Sequence, residues 1–337
     1  MSDAKVIAVI GAGLAGLSCT RVLQEAGLAV TVFDKSRGVG GRLCTRRGES
    51  WQADHGAQYF TARSTVFRAQ VAEWLKAGVV AEWQPQRAVF GPHEASAGEQ
   101  VVRYVGVPGM SAPAKALAEA LTVRTGHTVR RLLPVDGGWQ LETAEHGLLP
   151  EVYRAVLLGV PAAQAEPLLQ PISSSLAVVA AAHHMLPSWT VMAQFAARPE
   201  LPFEAAFIND GPLRWVARNS SKPGRTGQEC WVLQATAAWS AAHLEEEPEA
   251  AGRMLVEAFR QLGGPEPEQV SVHRWRYADC EAADTGSVWE AASGLGLCGD
   301  WLLGGRVEGA WMCGRELGGK VLAEQGTRAG KQPPAAR

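Results

Sequence analysis

The chain has 337 residues, of which 47% are hydrophobic and 20% are charged, an ordinary globular composition with enough length for two domains. Its formal net charge of −2 gives no electrostatic reason to expect nucleic acid or a membrane surface as a partner. Its apolar runs fall short of the ~18 residues that a bilayer span requires, and the start MSDAK carries no apolar signal segment, so we expect a cytoplasmic protein.

The first predicted elements are a buried strand, Val6–Ile10, and a glycine turn with the sequence GAGLAG at 11–16. A helix pattern continues to Ala26, and a second predicted strand, Ala29–Phe33, ends at Asp34. This order of strand, glycine turn, helix, strand and acid is the dinucleotide-binding arrangement.

The residues of this turn have separate predicted roles in holding a dinucleotide. Gly11 permits the tight turn, Gly13 and the adjoining Ala12 let the backbone approach a pyrophosphate, and Gly16 lets helix and strand pack closely. The phosphates would lie at the helix N-terminus, whose free N–H groups and dipole favour an anion. Asp34 can accept a hydrogen bond from a ribose hydroxyl.

A second glycine-rich stretch, RGVGGR at Arg37–Arg42, follows Asp34 and Lys35. A domain that binds only NAD has no need of it, whereas the FAD diphosphate carries two negative charges beyond the first helix. Arg42 can pair with that diphosphate bidentately. The alternative interpretation is a basic surface turn.

The middle of the chain alternates between helix and strand patterns. We predict a helix over 63–77, short strands over 79–90, a polar loop over 91–100, a strand over Val101–Val105, a helix from Ser111 to about Leu121, a hairpin of His127–Leu133 with Gly138–Thr143, and a buried run over Val152–Val160. Two helical stretches near 162–183 precede predicted strands at 189–196, 204–208, 213–218 and 230–237, an amphipathic helix at 251–262, and a segment from Val270 to Trp275 that leads back to the first domain.

A C-terminal block is the second informative region. The strand Leu295–Cys298 ends in Gly299 and Asp300, and a helix begins at about Glu308. The N-terminus of such a helix would stabilise negative charge at the pyrimidine edge of a flavin, and Gly309 with Ala310 would let the ring approach. The alternative is an amphipathic helix with small residues for packing. GLGLCG at 294–299 also matches the glycine pattern, but no acid-terminated strand follows it.

Five blocks together resemble the bacterial renalase-like branch of the FAD-dependent amine oxidoreductases. They are GAGLAG, FDKSRGVGGR, DHGAQYFTAR at 54–63, VRYVGVPGMS at 102–111 and CGDWLLGGRVEGAW at 298–311. The resemblance implies an α/β fold of two domains (α+β overall): a Rossmann-like FAD domain of the p-hydroxybenzoate-hydroxylase type, and an antiparallel-sheet substrate domain. The FAD domain would comprise 1–62, 101–161 and 271–325, the substrate domain 63–100 and 162–270, and a disordered tail 326–337.

The resemblance also implies the site residues and a non-covalent FAD. Expected FAD contacts are Gly11, Ala12, Gly13, Gly16, Asp34, Lys35, Arg37, Gly41, Arg42, Gln58, Val129, Asp300, Arg306, Val307 and Ala310. Expected substrate contacts are Ala57, Gln58, Tyr59, Phe60, Thr61, Arg103, Tyr104, Ser188, Gln234 and Arg306. Gln234 stands where many renalase-like chains have His. If this position contacts the substrate, the glutamine would change the substrate choice or the pH dependence.

The implied activity is oxidation of the misreduced 1,2- and 1,6-dihydro isomers of NAD(P)H to NAD(P)+, with O2 reduced to H2O2. Such a hydride transfer starts from a neutral dihydropyridine and needs no base, so we assign no catalytic acid or base. Two alternatives stay open: an oxidase or desaturase of a small amine or ring compound, and a flavin-binding module without turnover. The six cysteines lack CxxC or zinc-site spacing, so we expect free thiols and no metal.

Overall fold

The computed structural model describes residues 6–92 and 101–329, so most of the expected polar loop at 91–100 and residues 330–337 of the expected tail lie outside it. The chain divides into two compact units, the first formed by 1–41, 114–184 and 281–337 and the second by 42–113 and 185–280. Each unit is described by itself.

The helices and strands are numbered in chain order. The described strands are β1 (Ile7–Ile10), β2 (Val30–Asp34), β3 (Arg46–Arg47), β4 (Gln52–Ala53), β5 (Val80–Glu82), β6 (Arg87–Phe90), β7 (Tyr104–Gly106), β8 (Thr122–Thr125), β9 (Val129–Val135), β10 (Gly138–Thr143), β11 (Gly147–Leu148), β12 (Ala155–Leu158), β13 (Met185–Phe195), β14 (Ala205–Ile208), β15 (Leu213–Arg218), β16 (Glu229–Ala235), β17 (Gln269–Cys280), β18 (Val288–Glu290) and β19 (Leu295–Leu297). The described helices are α1 (Leu14–Glu25), α2 (Thr65–Lys76), α3 (Ala112–Ala118), α4 (Ala162–Leu169), α5 (Ser174–Ala181), α6 (Ala237–Ala242), α7 (Pro248–Gln261) and α8 (Val307–Ala329), with 3-10 turns at Asn219–Ser221 and Asp300–Leu302.

A mostly parallel sheet with the strand order β18-β19-β12-β1-β2-β8 forms the centre of the first unit. Only β18, at one edge, runs antiparallel to its neighbour in this sheet. Strands β1, β2, β12 and β19 are buried along their whole length, which explains why they read as continuous apolar runs. The sheet reverses its order at β1 and β12, and in such sheets ligands bind beyond the carboxyl ends of the strands at that point.

The second unit contains a largely antiparallel sheet with the strand order β17-β13-β16-β15-β14-β6. One face of β13 carries Trp189, Val191 and Phe195, which join Leu255 and Phe259 of α7 in a hydrophobic core. The opposite face of β13 carries Ser188, Thr190, Met192 and Gln194, which are also buried. The sheet therefore has an apolar face for packing and a buried, partly polar face.

The unit boundaries differ from the expected domain boundaries at several places. Residues 271–280 were expected in the FAD domain, but β17 continues to Cys280 and pairs with β13 along most of its length. Residues 42–62 and 101–113 also belong to the second unit, and 162–184 belong to the first. Helix α8 continues to Ala329, beyond the expected start of the tail at 326. Within the described residues, no helix has the length and apolarity to cross a membrane.

Candidate functional site

The glycine turn of the first unit closes tightly between β1 and α1. Gly11 has a φ of +104°, which an L side chain rarely adopts, and its N–H donates to the Phe33 carbonyl at 2.7 Å. A Cβ atom on Gly16 would collide with the Gly11 carbonyl oxygen. These two positions therefore require glycine for the fold itself, before any ligand is considered.

The N-terminus of α1 is free to bind an anion. Gly13 occupies the N-cap position with φ −74° and ψ 177°, and no side chain caps the helix there. A Cβ atom on Gly13 would meet nothing within 4 Å, so open space adjoins the first N–H groups of the helix. A phosphate group fits this combination of a helix terminus without a side-chain cap, the helix dipole and free volume.

Asp34 is held in a fixed position at the end of β2. Its Oδ2 accepts a hydrogen bond from Ala12 N at 2.7 Å, and its Oδ1 accepts one from Ser36 N at 2.7 Å. Each carboxylate oxygen has a second lone pair, which can accept from a ribose hydroxyl. The carboxylate thus links the glycine turn to the place where a ribose would lie.

The second glycine stretch borders the first one directly. Gly40 N donates to the Ala12 carbonyl at 2.9 Å, and a Cβ atom on Gly41 would lie 3.3 Å from the Gly13 Cα atom. Lys35 and Arg37 are exposed beside this turn. Arg42 belongs to the second unit, where its Nη1 donates to the Ala278 carbonyl at 3.2 Å.

The C-terminal block of the first unit forms a compact turn between β19 and α8. Asp300 is buried, and its carbonyl accepts from Leu303 N and Gly305 N. Helix α8 begins at Val307, and a Cβ atom on Gly309 would collide with the Leu303 carbonyl oxygen. Among the remaining expected FAD contacts of this unit, Arg306 is exposed, Ala310 donates its N–H to the Arg306 carbonyl, and Val129 begins β9.

In the second unit, we define Asp54–Thr61 as the substrate segment, because half of the expected substrate residues lie in it. Asp54 is fully buried, and its Oδ1 accepts from Met110 N at 3.0 Å and from the Thr45 hydroxyl at 2.7 Å. Its Oδ2 accepts from Lys222 Nζ at 3.2 Å and from Arg225 Nε at 3.2 Å. Burial opposes ionisation of Asp54, but the charges of Lys222 and Arg225 hold the pKa of this carboxyl below its ordinary value.

His55 lies in an aromatic cluster with two residues of β17. Its ring stacks on Trp275 with a centroid distance of 5.3 Å and meets the edge of His273 at 4.9 Å, while Trp275 Nε1 donates to the His55 carbonyl at 2.9 Å. Burial, followed by the charges of His273 and Arg46, lowers the pKa of His55 to about 4. His55 is therefore neutral near pH 7, when it can act only as a hydrogen-bonding and packing group.

Gln58 directs its amide into the substrate segment. Its Nε2 donates to the Asp54 carbonyl and, at 3.1 Å, to the Gly56 carbonyl, while its Oε1 accepts from Lys222 Nζ at 3.2 Å. Both donor hydrogens are thus used in hydrogen bonds to backbone carbonyls of the segment. Gln234 Nε2 also donates to the Gly56 carbonyl, at 2.8 Å.

The other expected substrate residues divide into two groups. Tyr59 is partly exposed, and the Arg103 guanidinium lies 5.1 Å from its ring centroid; Ala57 and Thr61 are also partly exposed. Phe60, by contrast, is buried between Phe67, Trp74 and Tyr104, so its ring serves the core. Ser188 is buried with its hydroxyl donating to the Ala235 carbonyl at 3.3 Å.

Sequence reasoning missed three residues of the segment NSSKPGR at 219–225. The Asn219 amide accepts from Asp54 N at 3.1 Å and donates to the Gln52 carbonyl at 2.9 Å, and Lys222 and Arg225 bind the Asp54 carboxylate. The segment reads as an exposed turn because Ser, Lys, Pro and Gly are typical of loops. The available signal was Asp54 itself, an acid directly after the strand residues Gln52–Ala53, because a buried carboxylate requires cations or donors from elsewhere in the chain.

Two family profiles match the chain. The profile for an NAD(P)-binding Rossmann-like domain matches residues 9–74, and the profile for flavin containing amine oxidoreductases matches residues 84–317. The second match covers more than half of the chain, so the chain belongs to the flavin containing amine oxidoreductase family. The open helix terminus, the glycine turns and Asp34 of the first unit fit FAD, the cofactor expected of this family.

The curated relatives are similar over a short region. An L-amino-acid oxidase from Sistrurus catenatus edwardsii is 37% identical over 73 residues, which are 22% of this chain and 14% of that protein. One from Siganus canaliculatus is 39% identical over 64 residues, which are 18% of this chain and 12% of that protein. The chain thus matches far less than two thirds of the length of these relatives.

Solved structures resemble the chain over nearly its whole length. A putative protoporphyrinogen oxidase from Exiguobacterium sp. 255-15 aligns with a TM-score of 0.76 and 13% identity, covering 96% of this chain and 100% of that one. Cyclohexylamine oxidase from Brevibacterium oxydans IH-35A gives 0.72 and 11%, covering 96% and 99%. Putrescine oxidase bound to putrescine gives 0.71 and 13%, covering 95% and 99%. At these identities the likeness shows the fold.

Proposed function

We propose that the protein oxidises 1,2- and 1,6-dihydro isomers of NAD(P)H to NAD(P)+, with FAD as the hydride acceptor and O2 reduced to H2O2. The charge around the substrate segment carries this proposal. Arg103 lies over Tyr59, and Lys222 and Arg225 face the single carboxylate of Asp54. Such an excess of cations favours a substrate that carries phosphates and disfavours an ammonium group.

The residues of the segment supply surfaces for a flat polar ring and its phosphate-bearing tail. Tyr59 offers an aromatic face, and Arg103 supplies a cation that can pair with a phosphate. The neutral imidazole of His55 adds no positive charge that would oppose formation of the cationic pyridinium ring as the hydride leaves. No side chain need remove a proton, because the nitrogen lone pair of the dihydropyridine drives hydride departure and the protein positions the donor carbon.

We propose further that FAD is held without a covalent bond. Cys298 and Cys313 flank the C-terminal turn and are fully buried. A hydrogen bond with Cys19 and burial raise the pKa of the Cys298 thiol, and burial raises the pKa of the Cys313 thiol. Both thiols therefore stay protonated and are poor nucleophiles.

A second candidate is oxidation of a small amine. It is favoured by the putrescine and cyclohexylamine oxidases among the similar structures and by the L-amino-acid oxidases among the sequence relatives. The partly exposed ring of Tyr59, which packs beside Trp83 and Trp215, offers an aromatic surface to an alkyl group. The cations around the substrate segment, Arg103, Lys222 and Arg225, argue against this candidate because they disfavour an ammonium group.

Anaerobic rapid mixing distinguishes the two candidates. The FAD-loaded protein is mixed with 1,2-, 1,4- or 1,6-dihydro NAD(P), with putrescine or with cyclohexylamine, and the flavin absorbance is followed. We expect rapid bleaching with the 1,2- or 1,6-dihydro isomers and none with the amines. Bleaching by the amines alone would establish the second candidate and reject the first.

A matched pair of variants tests the charge argument. Arg103→Gln should raise KM for the dihydro dinucleotide about tenfold, because a charge-assisted phosphate contact is lost. Arg87→Gln, which removes an exposed arginine from β6 in the same unit, should leave KM unchanged. Equal KM values for both variants would contradict the assignment of Arg103.

A further inference from the structure

Lys222 is a fully buried lysine with three neighbours. Its Nζ lies 3.2 Å from Asp54 Oδ2, 3.2 Å from Gln58 Oε1 and 5.4 Å from the ring centroid of Trp83. A buried ammonium loses its hydration, so it persists only where its hydrogen bonds are replaced. Lys222 thus occupies a site built for a charged amine.

The charge of Lys222 exceeds what Asp54 requires. Arg225 already pairs with the same Oδ2 atom through both Nε and Nη2, and it is buried as well. One arginine neutralises one carboxylate, so a second buried cation adds a desolvation cost without a further anion to offset it. The contact that distinguishes Lys222 from Arg225 is the one with Gln58.

Gln58 connects Lys222 to the backbone of the substrate segment. Its Nε2 donates to the carbonyls of Asp54 and Gly56, and these two hydrogen bonds fix the turn between them. The amide can make both bonds only when its oxygen points at Lys222, because oxygen and nitrogen occupy opposite ends of the group. When it is protonated, Lys222 Nζ has no lone pair and can only donate, so it selects the amide orientation in which the Gln58 oxygen faces it.

We propose that Lys222 is a positioning residue that orients Gln58 and thereby holds the substrate segment in its binding conformation. The inference rests on the proposed assignment of this segment to substrate binding. Lys222 itself is buried and contacts the substrate through no atom of its own; Ala57 and Tyr59, on either side of Gln58, are the residues whose placement it sets.

The protonation state of Lys222 gives the proposal a pH signature. Burial lowers the pKa of Lys222 to about 8, with Asp54 opposing the shift and Arg225 adding to it. Cys230 of β16 also faces this amine, but burial raises the pKa of that thiol to about 12, so it stays neutral where Lys222 titrates. A neutral amine can accept as well as donate, so loss of the Lys222 proton removes the requirement that the Gln58 oxygen face Lys222 and lets the amide rotate.

The first experiment compares pH profiles of kcat and KM for the FAD-loaded wild type, Lys222→Met, Lys222→Arg and Lys76→Met. In the wild type, KM should rise about fivefold above pH 8 as a charge-assisted hydrogen bond is lost, with kcat nearly constant. Lys222→Met should show the high KM at every pH. Lys222→Arg should show no inflection near pH 8, because arginine keeps its proton. Lys76→Met removes an exposed lysine of α2 and should match the wild type.

A double-mutant cycle then tests whether Lys222 acts through Gln58. Lys222→Met and Gln58→Met should each raise KM, and the double variant should be no worse than the weaker-binding single variant. Additive effects would overturn the proposal, as would an inflection near pH 8 that persists in Lys222→Arg. If Lys222→Met fails to fold, Lys222→Arg and Gln58→Met still decide the question.

The proposal can fail separately from the proposed function. The kinetic tests use whichever donor reduces the flavin, a dihydro dinucleotide or an amine, so the wrong substrate class leaves them valid. A readout without turnover is the near-ultraviolet circular dichroism of the Trp83 environment. It should change with a midpoint near pH 8 in the wild type, at a lower pH in Gln58→Met, and not at all in Lys222→Met. An unchanged midpoint in Gln58→Met would show that the two side chains are not coupled.

Discussion

Asp54 organises the second unit through a single buried carboxylate. It binds Thr45 and Met110 through Oδ1 and Lys222 and Arg225 through Oδ2, so three distant parts of the chain converge on it. Ion pairs in a low-dielectric interior gain little over an apolar replacement, but breaking one leaves an uncompensated charge. Removing the Asp54 carboxylate should therefore lower the free energy of unfolding far more than its ion pairs raise it.

Asp54→Asn should destabilise the protein by about 3–5 kcal/mol, because it keeps the shape of the side chain and leaves two buried cations without an anion. Urea unfolding of the FAD-loaded protein measures the change. The control is Asp136→Asn, which removes an exposed carboxylate from the turn between β9 and β10. A loss below about 1 kcal/mol would show that the buried cations are compensated elsewhere.

Individual residues of the first unit were easier to predict than those of the second. The roles of Gly11, Gly16 and Asp34 follow from a local pattern whose members lie close in sequence. The partners of Asp54 lie far away along the chain, at 219–225, and no periodicity connects the two places. The packing of the Phe60 ring against Phe67 and Tyr104 is likewise decided by tertiary contacts that the motif does not contain.

The glycines of the turn at 11–16 differ in whether the fold itself requires them. Gly16 has no room for a methyl group because the Gly11 carbonyl occupies that position, whereas Gly13 has free space and an ordinary negative φ. The fold therefore demands glycine at 16 but not at 13. The free space beside Gly13 has a purpose only when a phosphate approaches the helix N-terminus.

Gly13→Ala should leave the stability of the FAD-free protein unchanged and weaken FAD binding about tenfold or more, since the methyl group would occupy the phosphate position. Gly16→Ala should lower both the stability of the FAD-free protein and its affinity for FAD, because the methyl group separates α1 from the turn. Thermal unfolding of the FAD-free protein and titration with FAD, followed by flavin fluorescence, give the two readouts. Normal FAD affinity in Gly13→Ala would place the diphosphate elsewhere.

Helices and strands with a clear period were predicted within a few residues, and long strands were not. The expected helix at 63–77 is α2 at Thr65–Lys76, and the expected strand at 213–218 is β15. Strand β17 extends to Cys280 because β13 offers it a partner along most of that length. Strand length is thus decided by pairing with a distant neighbour, which a local pattern does not contain.

For the whole molecule, the predicted fold class and cofactor are confirmed by the two sheets and by family membership. The boundaries of the units were harder to predict, since the chain passes between them several times and one crossing, between Pro113 and Ala114, lies within α3. Residues 42–62 follow the cofactor motif directly in sequence, yet Asp54, Gln58 and Gly56 form hydrogen bonds with Asn219, Lys222 and Gln234 of the second unit, which lie far away along the chain.

Acid should destabilise the folded protein already below pH 6.5, because His55 is buried in its neutral form. Its pKa is about 4 in the folded chain against 6.5 for an ordinary histidine, so between these values the unfolded chain binds a proton that the folded chain does not. The stability contributed by the neutral form is complete above pH 6.5 and falls as the pH drops, by about 3 kcal/mol at pH 4 and below. His273, whose pKa is lowered in the same direction by burial, adds to the trend.

His55→Phe keeps a ring that can stack on Trp275 and removes the titrating group. We expect its free energy of unfolding to vary less between pH 7 and pH 4.5 than that of the wild type, by about 2–3 kcal/mol. Urea unfolding at a series of pH values measures this difference. His184→Phe, which replaces an exposed histidine, should retain the wild-type pH dependence. If His55→Phe retains it too, the acid sensitivity between pH 7 and pH 4.5 arises from another group, of which the buried His273 is the first candidate.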